Sequence, residues 1–142
     1  MKLNANYTVV LILLMLFFAA CQKDSSTETL LTQGSWITET KMATIQGILI
    51  NLNDSTHVCV KDDLTRFMID GNVEIDDGPL KCDPSDPQTF SLGPWILSEN
   101  DTKLFYGGTT YDIQELSDSR LKLYGPYSNL GIAGTIELTL VK

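Results

Sequence analysis

Thr135-Ile136-Glu137-Leu138-Thr139-Leu140-Val141 alternates apolar and polar side chains without a break. A strand places successive side chains on opposite faces, so Ile136, Leu138 and Leu140 share one face, while Glu137 and Thr139 share the other. This is the pattern of a strand packed on one side and wet on the other. Working backwards, the same alternation recurs at 120–124, with Leu121 and Leu123 on one face, and strands are read at 109–116 and 103–106. Residues 89–98 read as a strand in which Pro94, lacking an N–H, marks an edge or a bulge. Residues 72–76 point Val73 and Ile75 one way, and residues 64–69 align Thr65, Phe67 and Ile69. Residues 47–52 are a short apolar strand, and residues 36–42 carry Trp36, Thr38 and Thr40 on one face.

Turn signals separate these runs. Asp70-Gly71 marks a hairpin, Gly107-Gly108 and Ser117-Asp118-Ser119 mark turns, and residues 81–87 and 125–134 read as loops. Helical periodicity is confined to about one turn at 30–33. The expected fold is all-β: a small antiparallel up-and-down barrel of about eight strands. A β-sandwich stays open as the alternative, because alternation does not distinguish closure from stacking.

The start of the chain has a different character. Lys2 precedes an uncharged apolar run from Thr8 to Ala20. That run is shorter than the roughly 20 residues a spanning helix needs, and has the length of a signal-peptide hydrophobic region. Phe18-Ala19-Ala20-Cys21 resembles the lipobox of bacterial lipoproteins, with Phe in place of the usual Leu. The resemblance implies cleavage before Cys21 and acylation of that residue. Gln22-Lys23-Asp24 resembles the start of the export signal of Bacteroidota surface lipoproteins. The expected organisation is a leader at 1–20, a lipidated Cys21 with a tether to 29, and one domain at 30–142. The expected address is the outer membrane, lipid-anchored, on the cell surface.

Charge excludes one class of partner. The chain has 18 acidic and 10 basic residues, a net charge of −8. Removing the leader takes away one base, Lys2, and no acid. Binding nucleic acid requires clustered Lys and Arg to neutralise phosphates, so no nucleic-acid partner is expected. With Cys21 assigned to lipid, Cys59 and Cys82 remain, and an exported chain is expected to pair them. Closing that loop is worth roughly 3 kcal/mol in the chain-entropy model. The alternative, a zinc site, lacks Cys-x-x-Cys spacing and has one histidine, His57, to draw on.

Several further residues carry a family resemblance. Gly34-Ser35-Trp36 opens the first strand; Cys59-Val60-Lys61-Asp62-Asp63 precedes a strand containing Phe67; then come Asp70-Gly71, Cys82-Asp83-Pro84 and Gly93-Pro94-Trp95. Together they resemble the lipocalin-like domain of Bacteroidota lipoproteins, across essentially all of 30–142. The resemblance implies a meandering β-barrel on a lipid tether with Cys59 bonded to Cys82. Two departures stand out. Thr110-Tyr111-Asp112 lacks the Thr-Asp-Tyr order of lipocalins, and the basic residue that covers the first-strand Trp has three candidates, Arg120, Lys122 and Lys142.

Chemistry is sparsely marked. A lone His57 excludes a two-histidine metal site, and no nucleophile is marked beside it, so no enzymatic activity is expected. Asp54, Asp62, Asp63, Asp70, Asp76, Asp77, Asp83 and Asp86 crowd one third of the chain, mostly where turns favour Asp, and no metal or other cofactor is expected. Trp36, Phe67, Val73, Trp95 and Tyr111 are the candidate barrel-interior contacts for a small hydrophobic ligand. The other reading has such residues fill the barrel, which then serves as a structural or protein-interaction module with an unidentified protein partner.

Overall fold

A computed structural model of the protein describes residues 26–142. The leader, Cys21, and Gln22, Lys23 and Asp24 lie outside the described residues. The order of elements is α1 (Thr27–Thr32), β1 (Trp36–Ile45), β2 (Ile48–Asn51), a 3-10 turn (Leu52–Ser55), α2 (Val58–Lys61), β3 (Leu64–Phe67), β4 (Asn72–Asp76), β5 (Thr89–Pro94), β6 (Ile96–Ser98), β7 (Lys103–Tyr106), β8 (Thr109–Leu116), β9 (Arg120–Asn129) and β10 (Ile132–Val141). α1 begins at Thr27, within the stretch read as tether, because Ser26 Oγ accepts from Thr29 N–H and caps it.

The fold is all-β. Ten antiparallel strands form one sheet in the order β5-β4-β3-β1-β10-β9-β8-β7-β6, with β2 paired to β1. The strands follow one another as neighbours, and the first long strand lies beside the last. The ladder is open among the described residues: β5 and β6 are its two edges, where closure had been expected. The reason is local. Pro94 has no N–H to donate, and Trp95 turns away to donate its own N–H to Gly71 O at 2.8 Å and its indole Nε1–H to Met68 O at 2.9 Å. The expected single strand at 89–98 is therefore two.

The inner face of the sheet is the one the alternation marks. Ile136, Leu138 and Leu140 of β10 pack with Leu121 and Leu123 of β9, Trp36, Phe67, Val73, Leu104, Trp95, and Leu31 of α1. Burying each such large side chain favours the fold by about 1.5–3 kcal/mol. Thr139 lies on the outer face yet is buried, flanked by Thr40 and Lys122 on the two neighbouring strands. Ile69 does not join Thr65 and Phe67. β3 ends at Phe67, and Ile69 is 82% exposed in the turn that Asp70-Gly71 makes. That turn is closed by Met68 N–H on Asn72 O and by Gly71 N–H on Met68 O.

Three strand bulges change which residues face inward; one adds Gln114 to β8, between Ile113 opposite Leu123 and Glu115 opposite Lys122, and the other two bear on the cavities described below. Thr38 is opposite Leu140, but Thr40 is opposite Thr139, so Glu39 is an extra residue in β1. Past it, Lys41 faces Leu138 and Ala43 faces Ile136. Thr40 therefore leaves the face of Trp36 and Thr38, contrary to expectation, and Lys41 and Ala43 join it. In β5 a second shift, between Val73/Glu74 on its partner, leaves Leu92 unpaired between Ser91 and Gly93.

The region 125–134, read as a loop, is the far half of the β9–β10 hairpin, turning at Leu130-Gly131. Gly131 makes the turn, at φ +80°, whereas Gly125 and Gly134 serve close approach. A Cβ on Gly125 would stand 2.7 Å from Tyr111 Cδ1 and 3.2 Å from Thr110 O, and one on Gly134 would collide with Thr44 O. Gly125→Ala should thus lower stability by about 1–3 kcal/mol, as overpacking does, in urea unfolding. A change below about 0.5 kcal/mol would mean that Tyr111 moves aside freely.

Candidate functional site

The packed core does not occupy the whole inner face. Towards the ends of β9 and β1 a cavity of about 340 Å³ remains. Ile136 and Leu138 line it from β10, Tyr106 and Tyr111 from β7 and β8, Tyr127 from β9, and Leu92 from β5. The Leu92 side chain also approaches the β7–β8 turn, where a Cβ on Gly107 would lie 3.3 Å from its Cδ2. A second cavity, of about 230 Å³, shares Thr38 and Lys41 with the first and continues past Asn53, Thr56, Val60 and Lys61.

Of the five residues read as interior contacts, Trp36, Phe67, Val73 and Trp95 are buried in the core, and Tyr111 lines the larger cavity. The aromatics form a continuous path. Trp95 meets Phe67 edge-on at 6.0 Å, Phe67 meets Tyr106 at 5.5 Å, and Tyr106 meets Tyr111 at 5.3 Å. Such pairs add about 0.5–1.5 kcal/mol each beyond area burial. Burial, with Tyr111 nearby, pushes the Tyr106 phenol well above its ordinary value, and burial raises Tyr111 too. Both hydroxyls therefore stay neutral donors at physiological pH. Lys41, Leu92 and Tyr127 were not singled out by the sequence. Tyr127 did carry a signal, since it continues the two-residue spacing of Leu121, Leu123 and Gly125.

Cys59 is bonded to Cys82, with Cα atoms 5.2 Å apart. The bond ties α2, which carries Lys61, to the loop after β4. His57 precedes α2, and its Nδ1 lies 2.8 Å from Cys59 Sγ. His57, Cys59 and Cys82 thus cluster, but sulfurs bonded to each other offer no thiolate to a metal. At the opposite end of β1, Lys142 is the base that covers the first-strand Trp: its Nζ is 4.3 Å from the centroid of the Trp36 ring. Of the other two candidates, Arg120 pairs with Glu39 and Lys122 with Glu137.

The acids divide by environment. Asp76 accepts from Gln88 Nε2 at 2.6 Å and from Arg66 Nη2 at 2.7 Å, which hold its carboxyl below the usual range. Asp62 Oδ1, Asp63 Oδ1 and Asp77 Oδ2 are shielded from solvent without a hydrogen-bond partner. Burial, together with Asp77, Asp62 and Asp76, raises Asp63 from 3.8 to about 6.

No family model matches the chain, and no curated protein does either.

Asp63 yields a pH prediction. Its folded-state value lies above the unfolded one, so between them the folded state binds more protons, and stability falls as pH rises through about 4 to 6. Asp63→Asn should raise the melting temperature near neutral pH, with a gain that fades on acidification to about pH 4. Equal melting of variant and parent at both ends would show that the Asp63 charge is no burden to the fold.

Proposed function

We propose that this protein is a lipid-anchored, lipocalin-like binding module of the cell envelope that holds a small apolar molecule in its larger cavity. The observation that carries this reading is the cavity itself: a concave site on a rigid sheet, walled by Leu92, Ile136, Leu138 and three tyrosines. Leu92, Ile136 and Leu138 give the site an apolar floor among the hydroxyls of Thr38, Thr109 and Ser128 and the Lys41 ammonium, a lining that suits a small ligand with an apolar body and a polar end. On this reading the sheet is a coiled meander of the up-and-down barrel type. Its neighbour order, with β1 beside β10, fits such a meander, and Leu92 against Gly107 supplies by side-chain packing what the ladder lacks between its edges. The apolar leader, the small residues before Cys21 and the polar residues after it support acylation at Cys21. Gln22-Lys23-Asp24 supports placement in the outer membrane, facing outward. Two or three acyl chains, at about 0.8 kcal/mol per buried CH₂, make a stable anchor.

A second reading, a module that docks another envelope protein, is favoured by exposed apolar side chains at the hairpin tips. Ile48 is 64% exposed, Leu49 66% and Leu130 95%.

An apolar fluorescent probe titrated into the purified protein separates the two. Saturable binding is expected, weakened at least about tenfold by Thr109→Trp, which enlarges a side chain lining the cavity without touching the core. Absence of probe binding would remove the ligand-binding reading and leave the docking one. The anchor has its own test: labelled palmitate should be incorporated by the parent protein and not by Cys21→Ala. Label retained in Cys21→Ala would remove the lipoprotein assignment.

A further inference from the structure

Most cations of the described chain have partners. Arg66, Lys103, Arg120 and Lys122 form ion pairs. Lys81 donates to Asp86 O, and Lys142 donates to Leu30 O while covering Trp36. Two remain. Among the described residues Lys41 and Lys61 have neither an ion pair nor a hydrogen bond, although acids outnumber bases 18 to 10 in this chain. Both line the smaller cavity.

The placement of Lys41 is specific. Without the bulge at Glu39, Lys41 would sit opposite Glu137 on the outer face, in ion-pairing position. With it, Lys41 sits opposite Leu138 on the inner face, half-buried, where no carboxylate meets it. A cation turned toward an apolar interior loses hydration, and this is offset only by an anion or a strong acceptor. Lys61, exposed on α2, lines the same cavity, and the Cys59–Cys82 bond ties α2 to the loop after β4. Thr38, Asn53 and Thr56, whose side chains carry hydrogen-bonding groups, complete the lining. The only carboxylate lining it belongs to Glu39, which pairs with Arg120 at 3.3 Å.

Thr38 and Lys41 line both cavities. We infer that they form one site for an anionic amphiphile: a carboxylate or comparable anionic head group between Lys41 and Lys61, with its hydrocarbon chain over Ile136 and Leu138 in the larger cavity. This rests on the binding reading above and narrows it. A neutral apolar molecule would fill only the larger cavity and leave both lysines without an anion.

Calorimetric titration of the purified protein with octanoate, octanol and acetate tests the inference. The three probes present head and chain together, chain with a neutral head, and head alone. Octanoate is expected to bind about tenfold tighter than octanol, a difference of about 1.4 kcal/mol, and acetate not measurably. Lys41→Met should abolish the preference, so that the variant binds octanoate no tighter than octanol, while Lys41→Arg keeps it. Lys61→Met should weaken octanoate alone. Octanoate and octanol binding equally, or a preference that survives Lys41→Met, would overturn the anionic head while the apolar cavity stands. Acetate binding as tightly as octanoate would overturn the amphiphile. Binding of none of the three would overturn this inference and the binding reading together.

Discussion

The indole of Trp36 joins the two ends of the domain, and the rest of the sheet depends on that junction. The ring is fully buried, and its Nε1–H donates to Leu31 O at 2.9 Å, which fixes α1 against the start of β1. Lys142, the last residue, lies over the ring and donates to Leu30 O at 2.9 Å. Backbone pairing of β1 with β10 runs from Ile37 and Val141 to Ile45 and Gly134. The first and last long strands are therefore central neighbours, and the inner-face leucines acquire a second wall only when the ends meet. Long-range pairing of this kind carries a loop-closure cost before its contacts form, so the fold is one of high contact order.

Once the ends are joined, strand parity decides what the interior contains. One added residue in β1, Glu39, separates an interior of Trp36, Thr38 and Thr40 from one of Trp36, Thr38, Lys41 and Ala43. The added residue in β5, Leu92, reaches across toward Gly107 and walls the cavity. Two of the three irregularities in the ladder thus fall on β1 and β5, the strands that carry Lys41 and Leu92 to the site. Were the same residues paired without the bulge, Lys41 would face Glu137 on the outer side and Ala43 would leave Ile136.

The alternation that defines the strands was legible because it is a local property. Val73 and Ile75, Leu121 and Leu123, and the inner face of β10 all follow from a spacing of two. The hairpin at Asp70-Gly71 was legible from its turn dipeptide, and the pairing of Cys59 with Cys82 from the cysteines that remain in an exported chain. Bulges were not legible, since nothing in Thr38-Glu39-Thr40-Lys41 states that one residue is unpaired; that is settled by register against β10. Gly125 and Gly134 misled for a related reason. Read locally, glycine signals a turn, whereas here it makes room for Tyr111 and for the Thr44 carbonyl across the sheet. That mistake concealed the second half of a hairpin, and with it Tyr127. The cavity was legible in part: Tyr111 belongs to it, while Trp36, Phe67, Val73 and Trp95 support it from the core.

The tips of the β1–β2 and β9–β10 hairpins stand at the far end of β1 from Trp36. Ten residues of strand, at about 3.3 Å each, separate the two poles by roughly 30 Å. The described chain begins at α1, beside the Trp36 pole, while Gly107, Tyr127 and the larger cavity lie toward the other. On the anchor proposed at Cys21, the larger cavity would lie at the pole away from the point of attachment.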